Sequence, residues 1–248
     1  MLFCCSDVRW KNEPAYGREP YKPTPIEHGA NTITHALWIA PSVYCSLVMM
    51  GRASTEAEWF NAIIFGGALL SLFSVSTIFH WLSWSGRAKT LRFYLHISDR
   101  AVIYLFIAAS YTPWLTLLKV GVIGYCLRWL VWLLAFLGII YSYCFYEKYK
   151  RLETAFYIIM GLGPSIVVFE VHDLDGIYEL ALGGLIYIVG VIFFKSDGII
   201  PCAHAIWHMF VVAGAGFHFY AINTYLMGNT TVSANTTNQV HHFGERWP

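Results

Sequence analysis

Apolar residues run almost unbroken through seven stretches of this chain, at about 32–50, 58–81, 97–118, 123–145, 153–170, 177–194 and 203–226. Each is long enough, wound as a helix, to cross roughly 30 Å of hydrocarbon. The polar connections between them are short. This pattern predicts an all-α protein, an integral membrane bundle of seven transmembrane helices. Three regions follow: a polar N-terminal segment (1–30), the helical domain (31–226) and a polar C-terminal tail (227–248). Pro41, Pro113 and Pro164 fall inside spans, where a proline more often kinks a helix than ends it, because neighbouring helices satisfy the freed carbonyls. Gly66-Gly67-Ala68 and Gly183-Gly184 permit close helix approach. Pro201, just ahead of the last span, suits the first turn of a helix.

Composition agrees with the pattern. Of 248 residues, 57% are hydrophobic and only 12% are charged, about half the charged share of a soluble domain. Mean hydropathy is +0.51. The net charge of +1 is uninformative about nucleic acid, but with no basic block or recognition motif none is expected as a partner. Pro14, Pro20, Pro23 and Pro25 interrupt any signal-peptide core, so the first span is expected to serve as the targeting signal. The six cysteines form no C-x-x-C, which argues against a disulfide framework or a cysteine zinc ribbon. Cys4 and Cys5 suit palmitoylation and equally suit unmodified thiols.

The distribution of basic residues sets an orientation. Twelve lie on one side: Arg9, Lys11, Arg18 and Lys22; Arg87, Lys89, Arg92 and Arg100; Lys148, Lys150 and Arg151; and Lys195. Four lie on the other: Arg52, Lys119, Arg128 and Arg246. The positive-inside rule places the N-terminus in the cytosol and the C-terminus in a lumen or outside the cell. Sequons at Asn229 and Asn235 fit that side.

On this frame, groups far apart in sequence meet at the cytosolic face. His80 ends span two, Asp99 begins span three, and His204 and His208 begin span seven. His204 and His208, four residues apart, project from one helix face, a common arrangement for two imidazoles on one metal. Zinc at a catalytic site takes three protein ligands and leaves a position for water, and His80 is the candidate third ligand. Asp99 would orient that water or accept its proton; zinc brings the pKa of bound water to about 7. Ser76 lies one turn deeper on the face of His80. Each histidine alone could instead bond a neighbouring helix, but ionisable groups inside spans are costly and mark function. His96 is a possible substitute ligand nearer the aqueous loop. Glu27, Asn31 and His35 form a polar stripe that suits either support of the metal or plain helix capping. Asp197 reads as a turn residue. His172, Asp173 and Asp175 lie at the far face, and His241 and His242 in the tail. No H-E-x-x-H is present, which disfavours a zincin-type protease.

Several of these stretches resemble the progestin and adipoQ receptor family, which includes the bacterial hemolysin III proteins. They are Glu27-His28-Gly29-Ala30-Asn31 with His35; Ser76 to His80; Asp99; Ser110 to Leu115; and Phe194 to Gly198 leading into His204-Ala205-Ile206-Trp207-His208. The tracts FFKSDGIIP, HAIWH, SDR and ASYTPWL look most like its monocyte-to-macrophage differentiation factor branch. The resemblance covers about Tyr21 to Tyr225. It implies a seven-helix bundle with a cytosolic N-terminus, and zinc on His80, His204 and His208 with Asp99 at the metal's water. It also implies kinship with hydrolases of lipid amides such as alkaline ceramidases. Residence in Golgi or late endosomal and lysosomal membranes and modulation of kinase signalling are further implications. Receptor members carry longer N-terminal regions than the roughly 30 residues here, so hormone binding does not transfer. Two function classes remain open. One is a zinc-dependent hydrolase of a membrane lipid amide or ester, with Ser76 or zinc stabilising the oxyanion. The other is a signalling receptor or scaffold with structural zinc and cytosolic protein partners. A pore or transporter ranks below both, because few charges lie mid-membrane.

Overall fold

A computed structural model describes residues 9–17, 19–170 and 175–228. Cys4, Cys5, His172, Asp173, both sequons, His241 and His242 lie outside the described residues. Eight α-helices make up most of the described chain: α1 (Pro25–Ala36), α2 (Ile39–Arg52), α3 (Glu56–Ser85), α4 (Lys89–Leu117), α5 (Val122–Cys144), α6 (Lys150–Leu162), α7 (Ile177–Phe194) and α8 (Ala203–Ala221).

Among the described residues, six helical stretches are apolar and long enough to cross a bilayer. One is α1 and α2 taken together, 28 residues from Pro25 to Arg52. The remaining expected segment, 97–118, falls within α4. That helix has 29 residues, but Lys89, Arg92, His96, Asp99 and Arg100 dilute its first half, so it is not among the six.

Local chemistry explains the boundaries. Helix α1 starts earlier than the hydropathy alone places it, because Thr24 and Glu27 form a reciprocal capping box with Pro25 in the first turn. Pro41 cannot donate to the carbonyl of Leu37 and its ring crowds that carbonyl, so the helix breaks at Leu37–Trp38 and resumes as α2. Pro113 is held inside α4. At Pro164 the chain tightens into a 3₁₀ stretch, Gly163–Glu170, which completes the crossing begun by α6. Pro201 sits in the turn before α8 rather than within its first turn.

Helix α3 lies at the centre and packs on α1, α2 and α4, while α8 packs on α7 and α1. Phe65, Leu69, Leu72 and Phe73 of α3 meet Phe106, Ala109 and Trp114 of α4 and Val211, Val212 and Ala215 of α8. A second core joins α4, α5 and α6 through Tyr104, Leu115, Val131, Ala135, Tyr157 and Met160. The outward faces remain apolar, with Trp59, Phe60, Leu133, Phe136, Ile188 and Ile192 exposed. Such a surface has no soluble solvent partner and suits lipid.

Hydrogen bonds define the two ends. At the basic end, Lys11 donates to the carbonyl of Gly198 (2.8 Å) and Lys150 to that of Glu19, tying the N-terminal stretch to the turn before α8 and the start of α6. At the other end, Arg52 donates to Met227 O (3.3 Å) and Tyr225 to Glu179 (3.0 Å).

Candidate metal centre

The basic end holds a histidine cluster in which His80 and His208 are buried and His204 is half-buried. His80 comes from the last turns of α3, and His204 and His208 from the first turns of α8. One ring nitrogen from each lies within 4.8 Å of the others. Ring centroids are 5.1 Å apart for His80–His204, 5.1 Å for His80–His208 and 4.7 Å for His204–His208. Nitrogens sharing one zinc at about 2.0–2.1 Å can be no more than about 4.2 Å apart. Small side-chain rotations therefore close the triangle. Both ring nitrogens of His80 are buried without a hydrogen-bond partner. Buried polar atoms seldom go unpaired, and a three-imidazole donor set suits zinc and neighbouring divalent transition metals. The residues fit the group.

Outer contacts orient two of the three rings. Thr34 Oγ1 lies 2.9 Å from His208 Nδ1 and donates its own proton to Ala30 O (2.8 Å), one turn back on α1. A hydroxyl has one proton, so its lone pair accepts from His208 Nδ1–H. That tautomer leaves the lone pair of Nε2 free for a metal. His35, on the next residue of α1, stacks on the His208 ring at 3.6 Å with both of its own nitrogens unpartnered. On His204, the carboxylate of Asp197 faces Nδ1 at 3.7 Å. This is the carboxylate–histidine support common at metal sites. Asp197 does occupy a tight turn, as its sequence context predicts, but the turn aims its carboxylate at His204. Gly198 (φ +78°) makes that turn, and any side chain there would strike Pro14.

The other predicted residues divide. Asp99 Oδ2 lies 3.9 Å from His80 Nε2, beside the triangle. Ser76 is buried on the same side of α3, its hydroxyl unpartnered. Both line one cavity with the histidines. Of the α1 stripe, Glu27 is consumed by the capping box and by Tyr21 (2.9 Å), while His35 reaches the cluster. His96 stacks on Phe79 and bonds Tyr146 instead of joining the triangle.

Behind Asp99 stands a buried ionic network. Arg100 contacts Glu147 at 2.6 Å and Glu153 at 3.3 Å, and Lys150 contacts Glu147 at 2.7 Å. Tyr157 and Ser142 donate to Glu153 at 3.2 Å each. Lys195 donates to Thr154 at 3.2 Å, and burial holds its ammonium below its ordinary pKa. Sequence inspection did not single out Thr34 or this network. Thr34 carries no local signal, whereas a carboxylate seven residues before His204 was a usable one for Asp197.

The cavity measures about 1080 Å³, at the upper end for small-molecule sites. It runs from Tyr21 and Lys22, past the histidines, into a deep region between α4, α6, α7 and α8 lined by Ile103, Phe106, Leu180 and Val211.

Comparisons with known proteins agree with the motifs. A profile of the family described as Haemolysin-III related matches residues 26–219. The chain is 49% identical over 219 residues to monocyte to macrophage differentiation factor from Homo sapiens, covering 88% of this chain and 91% of that protein. It is 31% identical over 207 residues to Hemolysin-3 of Bacillus cereus, covering 81% and 92%. It is also 33% identical over 205 residues to a Hemolysin-3 homolog of Bacillus subtilis, covering 80% and 94%.

Proposed function

The chain belongs to the haemolysin-III-related family of multi-pass membrane proteins, and on that premise we propose that it is a zinc-dependent hydrolase of a membrane lipid amide or ester. The observation that carries this reading is the junction of the histidine triangle with Asp99 and Ser76 at the head of one large, mostly apolar cavity. Zinc on His80, His204 and His208 would act as a Lewis acid toward a carbonyl or a water. The protein's own groups supply the rest. Asp99 holds a water and takes its proton as the oxygen adds to the carbonyl carbon. The Ser76 hydroxyl, beside Asp99, donates to the carbonyl oxygen as charge develops there. Asp99 then returns the proton to the departing amine or alcohol as its bond to the carbonyl carbon breaks. The apolar walls hold the acyl chain and exclude bulk water.

In the same reading seven helices cross the bilayer, α4 being the seventh. The segment 1–30 and the metal centre face the cytosol, and the tail 227–248 faces a lumen or the exterior. The twelve-to-four split of basic residues supports this. Intracellular membranes of the Golgi or the late endosome and lysosome are the proposed location. The relatives' names speak of differentiation and haemolysis and specify no substrate.

A second reading, a receptor or scaffold that modulates cytosolic signalling proteins through structural zinc, draws support from the N-terminal stretch. Pro14, Tyr21 and Lys22 line the mouth of the cavity, restricting entry from that side. His80→Ala separates the two. In an enzyme, zinc and turnover of a ceramide and lipid-amide panel are lost while the fold persists. In a scaffold, thermal stability and abundance collapse with the zinc, and the wild type turns over nothing.

A further inference from the structure

Deep in the cavity, far from the histidine triangle, a second set of polar atoms has no partner. Tyr187 Oη, His218 Nδ1 and Trp114 Nε1 are each buried without a hydrogen bond, and all three residues line the cavity. His218 is 8% exposed. It follows His208 by ten residues on α8, which places it about 15 Å further along the helix. The walls between are apolar, and a phenyl ring at either position would pack as well as the side chain present. Packing alone therefore does not account for the heteroatoms.

The pair is built rigidly. The Tyr187 ring of α7 lies over Gly214 of α8, where a Cβ would come within 2.7 Å of the ring. Conversely, the His218 ring of α8 lies over Gly183 of α7, where a Cβ would come within 2.8 Å. Each ring thus covers a glycine one helical turn from the other ring's anchor, and the two centroids are 5.7 Å apart. The interlock fixes both rings, and Phe106 flanks Tyr187 from α4 at 6.5 Å.

We propose that Tyr187 and His218 form a second polar station, which takes a hydroxyl or similar hydrogen-bonding group carried in the middle of a lipid tail. The inference rests on the reading of the cavity as a lipid site and specifies the class of lipid. A phenol both donates and accepts, and a neutral imidazole nitrogen does one or the other, so together they satisfy both halves of a hydroxyl. A plain acyl chain leaves both buried groups without partners, and unmade bonds of this kind are the costly ones.

The test uses the purified full-length protein in nanodiscs. Stearate, stearate hydroxylated in mid-chain and stearate hydroxylated next to the carboxyl are titrated by calorimetry. The mid-chain hydroxy acid is expected to bind about tenfold tighter than stearate, the equivalent of one well-made buried hydrogen bond. The acid hydroxylated beside its carboxyl should show no such gain. Tyr187→Phe and His218→Phe, which keep the rings, should each weaken the mid-chain hydroxy acid alone and leave zinc content at the wild-type level. Equal binding of the three acids by the wild type, as for a station filled by water alone, overturns the proposal. So does a preference that survives both substitutions. If no acid binds the wild type, the lipid reading of the cavity falls and this proposal falls with it.

Discussion

The two ends of the bundle treat part of their buried polar side chains in opposite ways. At the end away from the histidines, described carboxylates close off backbone and hydroxyl groups. Glu170 accepts from the amides of Ile123 (3.0 Å) and Gly124 (2.8 Å), capping α5 from a neighbouring helix. Glu58 accepts from Ser54 N (2.7 Å) and Gly228 N (3.3 Å), joining the start of α3 to the end of the chain's helical part. At the basic end, His80, His35 and Ser76 are buried with nitrogens or hydroxyls unpaired, and Asp99 faces a cavity. A helix end is stabilised by satisfying its orphan groups. A site able to take a metal or a substrate must keep some donors and acceptors unsatisfied by the protein itself. The contrast separates structure from readiness to bind.

His208→Ala strikes the unsatisfied end hardest. The zinc proposed to be near-stoichiometric in the purified wild type should fall to background in the variant, read by elemental analysis after dialysis. Retained zinc would remove His208 from the ligand set. Next comes Arg100→Met, which leaves the buried Glu153 without its cation while Glu147 keeps Lys150. Thermal unfolding in detergent should register a loss of about 3–5 kcal/mol, the usual cost of leaving buried charges without their partner. An unchanged midpoint would mean the network contributes little.

Thr34→Val keeps the shape of the residue but removes the acceptor for His208 Nδ1–H. Zinc affinity, measured by competition with a chelator, should drop about 10–100-fold as for other outer partners of ligating histidines. Thr34→Ser should preserve it, and equal affinity in the valine variant would discard the tautomer argument. The smallest effect belongs to the capped end. Glu170→Ala should cost about 1 kcal/mol of stability through the lost cap of α5, with zinc content unchanged. A drop in zinc there would show the two ends to be coupled.

Much of this was open to sequence inspection. Long apolar runs bounded by polar turns specify helices in lipid almost by themselves, because an unpaired backbone cannot be left in hydrocarbon. Helical spacing places His204 and His208 on one face, and alternating direction brings His80 and Asp99 to the same end as α8. The charge-diluted start of α4 separated six clearly apolar stretches from the seventh expected one. His96 was legible as a nearby imidazole, but only the packing of Phe79 and Tyr146 turns it away. Asp197 was legible as a turn residue, and the direction of its carboxylate depends on Gly198 packing against Pro14.

The sequence by itself determined the helices, the end of the bundle at which the histidines gather, and the family to which the chain belongs. Periodicity and hydropathy act locally and survive without knowledge of neighbours. Only the tertiary structure decided which buried polar atoms are satisfied. It aims Thr34 at His208, turns Asp197 toward His204, and leaves Tyr187 and His218 open to the cavity. Whether a hydrogen bond is made depends on atoms that approach from other helices. No spacing along one helix encodes that approach.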